Sequence, residues 1–586
     1  MKKILFLALG FSLLFAPSCK DFLQKDNPNS PTETIFWQTT SDFDMALTAI
    51  YGLMRGPLNY TQSFSIPGNF MSTFSSWYDN FTDNSVTNSD QDGTNTVLMD
   101  NISPENMPGL TGIYNALYQR IARINIFLDY LETNTNAEVQ AKYNQYKGEA
   151  LALRALNYHY LYIYFGSVPV VKERLNTDNM YKEKVVKEEV YKAIIEDFDE
   201  AIRLLPESQL YSANPGHMTR AAAIGFRART RLYHAYDEQG QAITAEMGEI
   251  LAELNQIKAP YKLADDVLEN FISDKQEACP EIMFSLKFLK PDMRNQIDFY
   301  IGAWKRMSPT RDLVYAFPNA DGSAYVPDPD IEKQMYPDSK VREEAEKKLR
   351  ESLKAQGLSD KEIEKKVEEF NDAEDAKVDA LYAQIFANRD PCLAMFIAPN
   401  GLYDFSEYFE KSAKFKDGNA PVTHFAVRKL VTPLDGLDNN GKDVVGHTSW
   451  DGVGYSWQSD QDVVLMRWTH ILLMKAEAAF WANGATAAEP YINELRDRVG
   501  MPHVSGITFE QLQNEIRIET CFEGLRYYDM KRWRILSKMN GKPHDPSVTG
   551  NVIINPAHFD WPIPYEEIRQ AKDHGVNLVQ NPGYTN

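Results

Sequence analysis

Helical periodicity of apolar residues at both ends of the chain is the feature that most limits its fold. Between residues 110 and 132, Tyr114, Leu117, Ile121, Ile124 and Leu128 recur every three or four positions, which places them on one face of a helix. Repeated helix pairs of this size predict a mainly α, tetratricopeptide-like scaffold with little β structure. Similar patterns cover 137–165, 186–205, 219–236, Gln461 to Trp481, Ala487 to Val499, Thr508 to Phe522 and Leu525 to Ile535.

Capping and breaking residues mark where several of these helices begin and end. Ser41 is a suitable N-cap for a first helix through Leu47 and Met54, since its hydroxyl accepts from a main-chain N–H of the first turn. Gly166 is expected to end the long helix over 137–165, and Pro206 to stop the next one.

The N-terminus has the three parts of a secretory signal. Two lysines follow Met1, Ile4 to Phe15 is almost wholly apolar, and Ala16, Pro17 and Ser18 precede Cys19. The apolar run is shorter than the roughly 20 residues that span a bilayer. Cys19 is either an incidental cysteine near the cleavage site or a lipidation site, and its spacing from the apolar run favours lipidation.

Composition changes in the middle of the chain. From about 260 to 460 the apolar runs are short and separated by Gly, Pro, Asn and Asp, which predicts a loop-rich, irregular region. Glu and Lys dominate 340–375, which is either a partner-binding arm or, as we prefer, a solvated helical hairpin. The predicted regions are a signal peptide (1–18), a lipidated tether (19–35), an N-terminal helical region (36–260), the loop-rich region with its charged insertion (261–460) and a C-terminal helical region (461–586).

The formal net charge of -21 argues against nucleic acid as a partner, because phosphate binding needs clustered Lys and Arg. Besides Cys19 the chain has Cys279, Cys392 and Cys521. This odd number predicts three buried thiols rather than a disulfide framework, although a Cys279–Cys392 bridge is the alternative. Neither a CxxC pair nor histidines at ligand spacing are found, so no metal site and no cofactor are predicted.

Enzyme motifs such as HExxH, GxSxG, Walker A and GxGxxG are absent, and the chain is predicted not to be an enzyme. Glu519 and Glu523 lie on one face of a predicted helix, where they form either an acid/base pair or buried ion pairs with Arg526, Arg532 and, more distantly, Arg467. Buried ion pairs are the commoner explanation. A glycoside hydrolase stays a second hypothesis, since two carboxylates from anywhere in a fold suffice.

Two polar stretches rich in aromatic residues have the side chains that sugar recognition needs, namely flat rings edged by hydrogen-bonding groups. They are 76–84 and 294–304. Packing within the core or loops is the alternative for each. A third aromatic stretch, 450–457, is better explained as a turn, and 90–95 only faintly resembles a calcium loop. The candidate ligand-binding residues are Trp77, Tyr78, Asp79, Asn80, Arg294, Tyr300 and Trp304.

Several blocks in fixed order resemble the SusD/RagB family of nutrient-binding outer-membrane lipoproteins. The most specific is 514–533 (NEIRIETCFEGLRYYDMKRW), followed by Trp561-Pro562-Ile563-Pro564 and 580–584 (QNPGY). Upstream, 148–155 (GEALALRA), Ser308-Pro309-Thr310 and Asn388-Arg389-Asp390-Pro391 are similar to further family blocks, although Cys392 replaces the usual Arg.

The resemblance implies a helical fold with tetratricopeptide units, lipid-anchored at Cys19 on the exposed face of the outer membrane. It also implies a SusC-like TonB-dependent β-barrel transporter as partner, to which oligosaccharide, or in some members peptide or glycoprotein ligand, is delivered. Family members place ligand contacts in loops equivalent to 76–84 and 294–304. A structural lid without ligand affinity is a third hypothesis.

Overall fold

The computed structural model describes residues 36–55, 76–87, 94–107, 111–207, 209–289, 297, 301, 306–335, 339–399, 422–423, 425–430 and 460–585. Within these ranges the chain is mainly helical, as predicted. The α-helices are α1 (Thr40–Met54), α2 (Thr94–Leu98), α3 (Thr111–Thr133), α4 (Ala137–Ala141), α5 (Tyr143–Phe165), α6 (Lys187–Leu204), α7 (Arg220–His234), α8 (Thr244–Leu254), α9 (Ser273–Gln276), α10 (Arg311–Ala316), α11 (Pro329–Met335), α12 (Ser339–Ala355), α13 (Asp360–Phe386), α14 (Pro391–Phe396), α15 (Trp468–Asn483), α16 (Ala485–Val499), α17 (Phe509–Thr520), α18 (Arg526–Arg532) and α19 (Tyr565–Asp573).

Strands are short and pair two by two in antiparallel fashion among the described residues. β1 (Ser85–Val86) pairs with β3 (Ser308–Pro309), β2 (Ile282–Leu286) with β6 (Val463–Arg467), and β4 (Ile397–Pro399) with β5 (Phe425–Val427). Short 3₁₀ helices cover Ser76–Phe81, Tyr211–Ala213, Val267–Asn270, Leu536–Met539 and Pro556–His558.

Local chemistry fixes the helix ends largely as the sequence predicts. Helix α5 ends at Gly166, whose φ of 66° suits glycine and whose missing Cβ leaves room for the Asp560 carboxylate. The N-cap of α1 is Thr39 and not Ser41, because Thr39 forms a reciprocal capping box with Asp42.

Helix α5 is the centre of the N-terminal half. Every residue from Gly148 to Phe165 is buried, so this helix has no solvent-facing side and packs against α3 and α6. The predicted 137–165 helix is two helices, since α4 ends at Ala141 before α5 begins.

Both ends of the chain contribute to one hydrophobic core. It runs from Phe43 through α5 to Phe288 and continues from Val464 to Leu578. A second cluster, from Val267 to Leu430, also contains Ile518 and Phe522 of the C-terminal block. The helical fold class is therefore confirmed, while the tetratricopeptide detail and the predicted domain boundaries stay predictions.

The prediction of a helix from Gln461 to Trp481 is wrong in its first third. Residues 463–467 form β6, whose Arg467 lies opposite Ile282 and whose Val463 lies opposite Leu286 of β2. Helix α15 begins only at Trp468, whose N–H donates to the Glu281 carbonyl at 2.8 Å. A short apolar run fits a buried strand as well as a helix.

The charged insertion is a helical hairpin, as predicted. Helices α12 and α13 enclose a small core of their own, formed by Leu353, Ile363 and Val367. Arg350 ties the two helices together through Glu364 at 2.6 Å. The hairpin extends to Phe386, beyond the predicted end at residue 375.

Cys279, Cys392 and Cys521 are free and buried. The alternative of a Cys279–Cys392 bridge is therefore wrong. Burial raises the pKa of Cys279 to about 11, so its thiol is held in the neutral form.

Candidate functional site

The two aromatic stretches predicted to bind ligand are tied together at their C-terminal flanks. Asn80, in the Ser76–Phe81 3₁₀ helix, donates from Nδ2 to the main-chain carbonyl of Arg306 at 3.1 Å. Its Oδ1 accepts from Ser85 Oγ at 2.8 Å. Arg306 follows Trp304 by two positions. One buried amide within the first stretch is therefore bonded to the main chain just after the second.

Main-chain pairing strengthens this link. In the β1–β3 pair, Ser85 lies opposite Pro309 and Val86 opposite Ser308. Thr310 extends the contact, with its N–H donating to the Asn84 carbonyl at 2.9 Å. Sequence reasoning used Ser308-Pro309-Thr310 only as a family marker. The structure shows that this block fixes the position of the neighbouring stretch.

Tyr78, Asp79 and Asn80 are buried, with exposed fractions of 1%, 0% and 0%. Their prediction as ligand contacts therefore needs correction, because ligand arriving from solvent does not reach these side chains in this structure. Tyr78 packs against Phe81 and Tyr164. The alternating pattern of polar and aromatic residues did not distinguish a polar interior from a polar surface.

Asp79 anchors the 3₁₀ helix to the C-terminal block. Its Oδ2 accepts from the Phe522 main-chain N–H and from Asn84 Nδ2. Burial raises the pKa of Asp79 to about 7, partly offset by these hydrogen bonds and by the charges of Lys429 and Arg526. Asp79 is a positioning residue of the candidate site.

The Trp77 main chain lies in the same 3₁₀ helix, while its side chain lies outside the described atoms. Arg294, Tyr300 and Trp304 also lie outside the described residues, as do 450–457 and 90–93. The structure thus fixes the flanks of the candidate site, and its aromatic contacts stay predictions.

A buried ion cluster stabilises the C-terminal block. Glu523 accepts from Lys429 at 2.6 Å, from Arg467 at 2.7 Å and from His470 at 2.8 Å. Burial alone raises the pKa of a carboxyl, but the charges of Arg467 and Lys429 hold the pKa of Glu523 well below its usual value. Arg467 also binds Glu281 at 2.6 Å.

Glu519 and Glu523 therefore serve in buried ion pairs, as preferred, although most of the predicted partners are wrong. Only Arg467 is a partner of Glu523 as expected; Glu519 pairs with Arg498 at 2.9 Å. Arg526 binds Asp83 at 2.8 Å, and Arg532 binds Glu477. Helical spacing placed both carboxylates on the buried face but carried no information about which distant element faces them.

Two protein-family models match this chain. A model of the SusD family matches residues 289–584, just over half of the chain. The chain belongs to the SusD family. A second model, described as starch-binding associating with outer membrane, matches residues 21–232.

Curated and solved SusD-like proteins resemble the chain over nearly its whole length. SusD-like protein P38 of Formosa agariphila is 22% identical, covering 96% of this chain and 100% of the relative. A SusD-like carbohydrate binding protein from Bacteroides fragilis has a TM-score of 0.68 at 20% identity, covering 91% of this chain and 98% of that one. Surface glycan-binding protein A from Bacteroides thetaiotaomicron, in complex with laminarihexaose, has a TM-score of 0.59 at 17% identity, covering 93% and 100%.

The described residues of this SusD-family chain contain neither a membrane-spanning helix nor a cluster of metal-ligating side chains. No helix among them combines the length and apolar character needed to cross a bilayer. No group of three His, Cys, Asp or Glu side chains there is arranged to hold a metal ion.

Proposed function

We propose that this SusD-family chain is a cell-surface lipoprotein that captures oligosaccharide and delivers it to a SusC-like TonB-dependent transporter. The observation that carries the proposal is the Asn80–Arg306 hydrogen bond with the adjoining β1–β3 pair. Together they join the flanks of two aromatic stretches that lie over 200 positions apart in sequence. A shared platform of this kind suits a sugar chain, which needs several rings in fixed positions.

The proposed ligand contacts are Trp77 from one stretch and Arg294, Tyr300 and Trp304 from the other. Indole rings cover the apolar face of a pyranose, while the guanidinium donates to its hydroxyls. Relatives named for laminarin or glycan binding share the fold, which supports a glycan over a peptide or glycoprotein ligand. Asn80 and Asp79 are the proposed positioning residues of this platform.

Anchoring is proposed through lipid on Cys19, followed by a tether of about 16 residues that leads to α1. The description of the second family model associates such proteins with the outer membrane. Release of intact ligand to a transporter fits a binding protein without turnover. The Glu519 and Glu523 pair that raised the hydrolase hypothesis is engaged in buried ion pairs.

Calorimetric titration of the mature chain, with Cys19→Ser to remove the lipid, tests the proposal. The panel comprises laminarihexaose, maltohexaose, xylohexaose, mannan oligosaccharides and peptides, with products checked by chromatography. Saturable binding of one glycan class without cleavage is expected. Trp304→Ala is expected to remove it and Trp450→Ala, in the stretch interpreted as a turn, to leave it intact. Binding of peptides alone, or cleavage of a bound glycan, contradicts the proposal.

A further inference from the structure

A cleft lies between α10, α11, α17 and the segment 535–546. Its volume is about 830 Å³, within the roughly 300–1,000 Å³ of small-molecule sites. None of the residues predicted to bind ligand lines it. Polar amides and two tyrosines line it together with charged residues of both signs.

Two tyrosines form an aromatic wall of this cleft. The Tyr315 and Tyr325 rings are partly buried, with centroids 5.5 Å apart and planes inclined by 36°. The Arg389 guanidinium lies 3.6 Å from the Tyr325 ring centroid and braces that ring. Tyr315 donates its hydroxyl hydrogen to Glu332 at 2.7 Å. Both rings are thus held in place before any ligand arrives.

A buried cation with spare hydrogen-bonding capacity lines the same cleft. Arg526, 6% exposed, donates from Nε and Nη2 to the Asp83 carboxylate at 2.8 Å each. Its Nη1 is buried and has no hydrogen-bond partner. Buried donors without a partner are uncommon in native proteins, which makes this N–H an unusual feature of the cleft lining.

Two lysines add further positive charge to the lining of this cleft. Lys538 and Lys542 are exposed, line the cleft and make no ion pair with any residue that the structure describes. The other lining arginines already have carboxylate partners, for example Arg517 with Asp312 at 2.8 Å. Lys538 and Lys542 are thus the lining cations without an ion pair among the described residues, and an anionic group next to them is favoured.

Two carboxylates without an ion pair complete the lining. Glu332 of α11 accepts from Tyr315, Glu510 belongs to α17, and neither has an ion pair among the described residues. Carboxylate oxygens accept hydrogen bonds from hydroxyl groups. The cleft therefore offers cations, aromatic faces and hydroxyl acceptors.

We propose that this cleft is a second carbohydrate site, which binds an acidic oligosaccharide through a carboxylate or sulfate group. Lys538 and Lys542 bind the anionic group, and the buried charge of Arg526 in the same lining adds to the attraction. Tyr315 and Tyr325 pack against a sugar ring, and Glu332 and Glu510 accept from its hydroxyls.

The test uses the mature chain carrying Cys19→Ser, with three probes. Trigalacturonate supplies carboxylates, a κ-carrageenan tetrasaccharide supplies sulfate esters, and maltotriose is the neutral control. Titrations are repeated in Trp77→Ala/Trp304→Ala, so that loss of the proposed platform is distinguished from loss of this cleft. The charge variant is Lys538→Ala/Lys542→Ala. Its matched control is Lys262→Ala/Lys572→Ala, which removes two exposed lysines outside the cleft.

At least one acidic probe is expected to bind more tightly than maltotriose, with affinity that falls as salt rises. Lys538→Ala/Lys542→Ala is expected to weaken that binding about tenfold or more, and Tyr315→Ala to weaken it as well. The control pair and the double tryptophan variant are expected to keep it. Failure of both acidic probes to bind, or equal affinity in Lys538→Ala/Lys542→Ala and its control, overturns the proposal.

Discussion

Asn80 and Arg306, 226 positions apart in sequence, are joined by a hydrogen bond of 3.1 Å from the Asn80 amide to the Arg306 main-chain carbonyl. Asn80 follows Trp77 by three positions and Arg306 follows Trp304 by two. Such a bond from a buried side chain fixes the main chain next to the proposed contacts. Rigid supporting residues of this kind keep a binding site in its productive geometry.

Asn80→Ala is therefore expected to weaken glycan binding although Asn80 is itself buried. The variant leaves Ser85 Oγ and the Arg306 carbonyl without this partner, which costs about 1–3 kcal/mol of unfolding free energy. Calorimetry and urea unfolding measure the two effects. Asn255→Ala, at an exposed helix end, is the control expected to change neither. Unchanged affinity in a folded Asn80→Ala variant contradicts the positioning role.

Glu523→Gln is expected to lower the unfolding free energy by roughly 3–5 kcal/mol, because Lys429 is left buried without its countercharge and Arg467 keeps only Glu281. Chemical denaturation measures the loss. Glu238→Gln alters an exposed glutamate and serves as the matched control. A loss no larger than that of the control is incompatible with a supporting role for the cluster.

Asp79 is expected to make stability depend on pH. With a pKa of about 7 in the folded chain and an ordinary value of 3.8, its carboxyl takes up a proton on folding between about pH 4 and 7. Stability from this group is therefore present at low pH and lost as pH rises.

Asp79→Asn removes this dependence. Relative to that variant, the unfolding free energy of the wild-type chain is expected to fall by at least about 1.4 kcal/mol between pH 5 and pH 8, the equivalent of one pKa unit. Denaturant titrations at the two pH values measure it. Parallel pH profiles of the two chains contradict the raised pKa.

Cys19→Ala is expected to release the protein from the membrane fraction of expressing cells, since lipid on this cysteine is the proposed anchor. Fractionation and surface labelling measure this. Cys279→Ala, which changes a buried thiol, is the control expected to stay membrane-bound. Membrane retention of the Cys19→Ala chain rules out lipid on this cysteine as the only anchor.

Local sequence determined much of the helical framework. Gly166, Pro206 and Gly500 end helices at or near the predicted positions, because their backbone preferences act within one turn. The helical hairpin over 339–386 likewise follows from its own pattern of Glu, Lys and Leu. Such features depend on neighbours only a few residues away.

Contacts between residues far apart in sequence could not be predicted in this way, because they depend on which elements pack together. Strand β6 was read as helix because its partner β2 lies more than 170 residues earlier. The arginine partners of Glu519 and Glu523 were misassigned because a helix face does not identify its neighbour. Tyr78, Asp79 and Asn80 have the residue types of an exposed site, yet all three are buried: Asn80 is hydrogen-bonded through both its amide atoms, and Asp79 accepts through Oδ2.

The measurement that tests the central claim most directly is a double-mutant cycle on Trp77 and Trp304, using calorimetric affinities for the glycan that the panel identifies. Wild-type, Trp77→Ala, Trp304→Ala and the double variant are compared after unfolding curves establish that all are folded. The account predicts that each single change weakens binding and that the two effects are coupled by at least about 0.5 kcal/mol, because both rings contact one ligand. Full affinity in both single variants contradicts it.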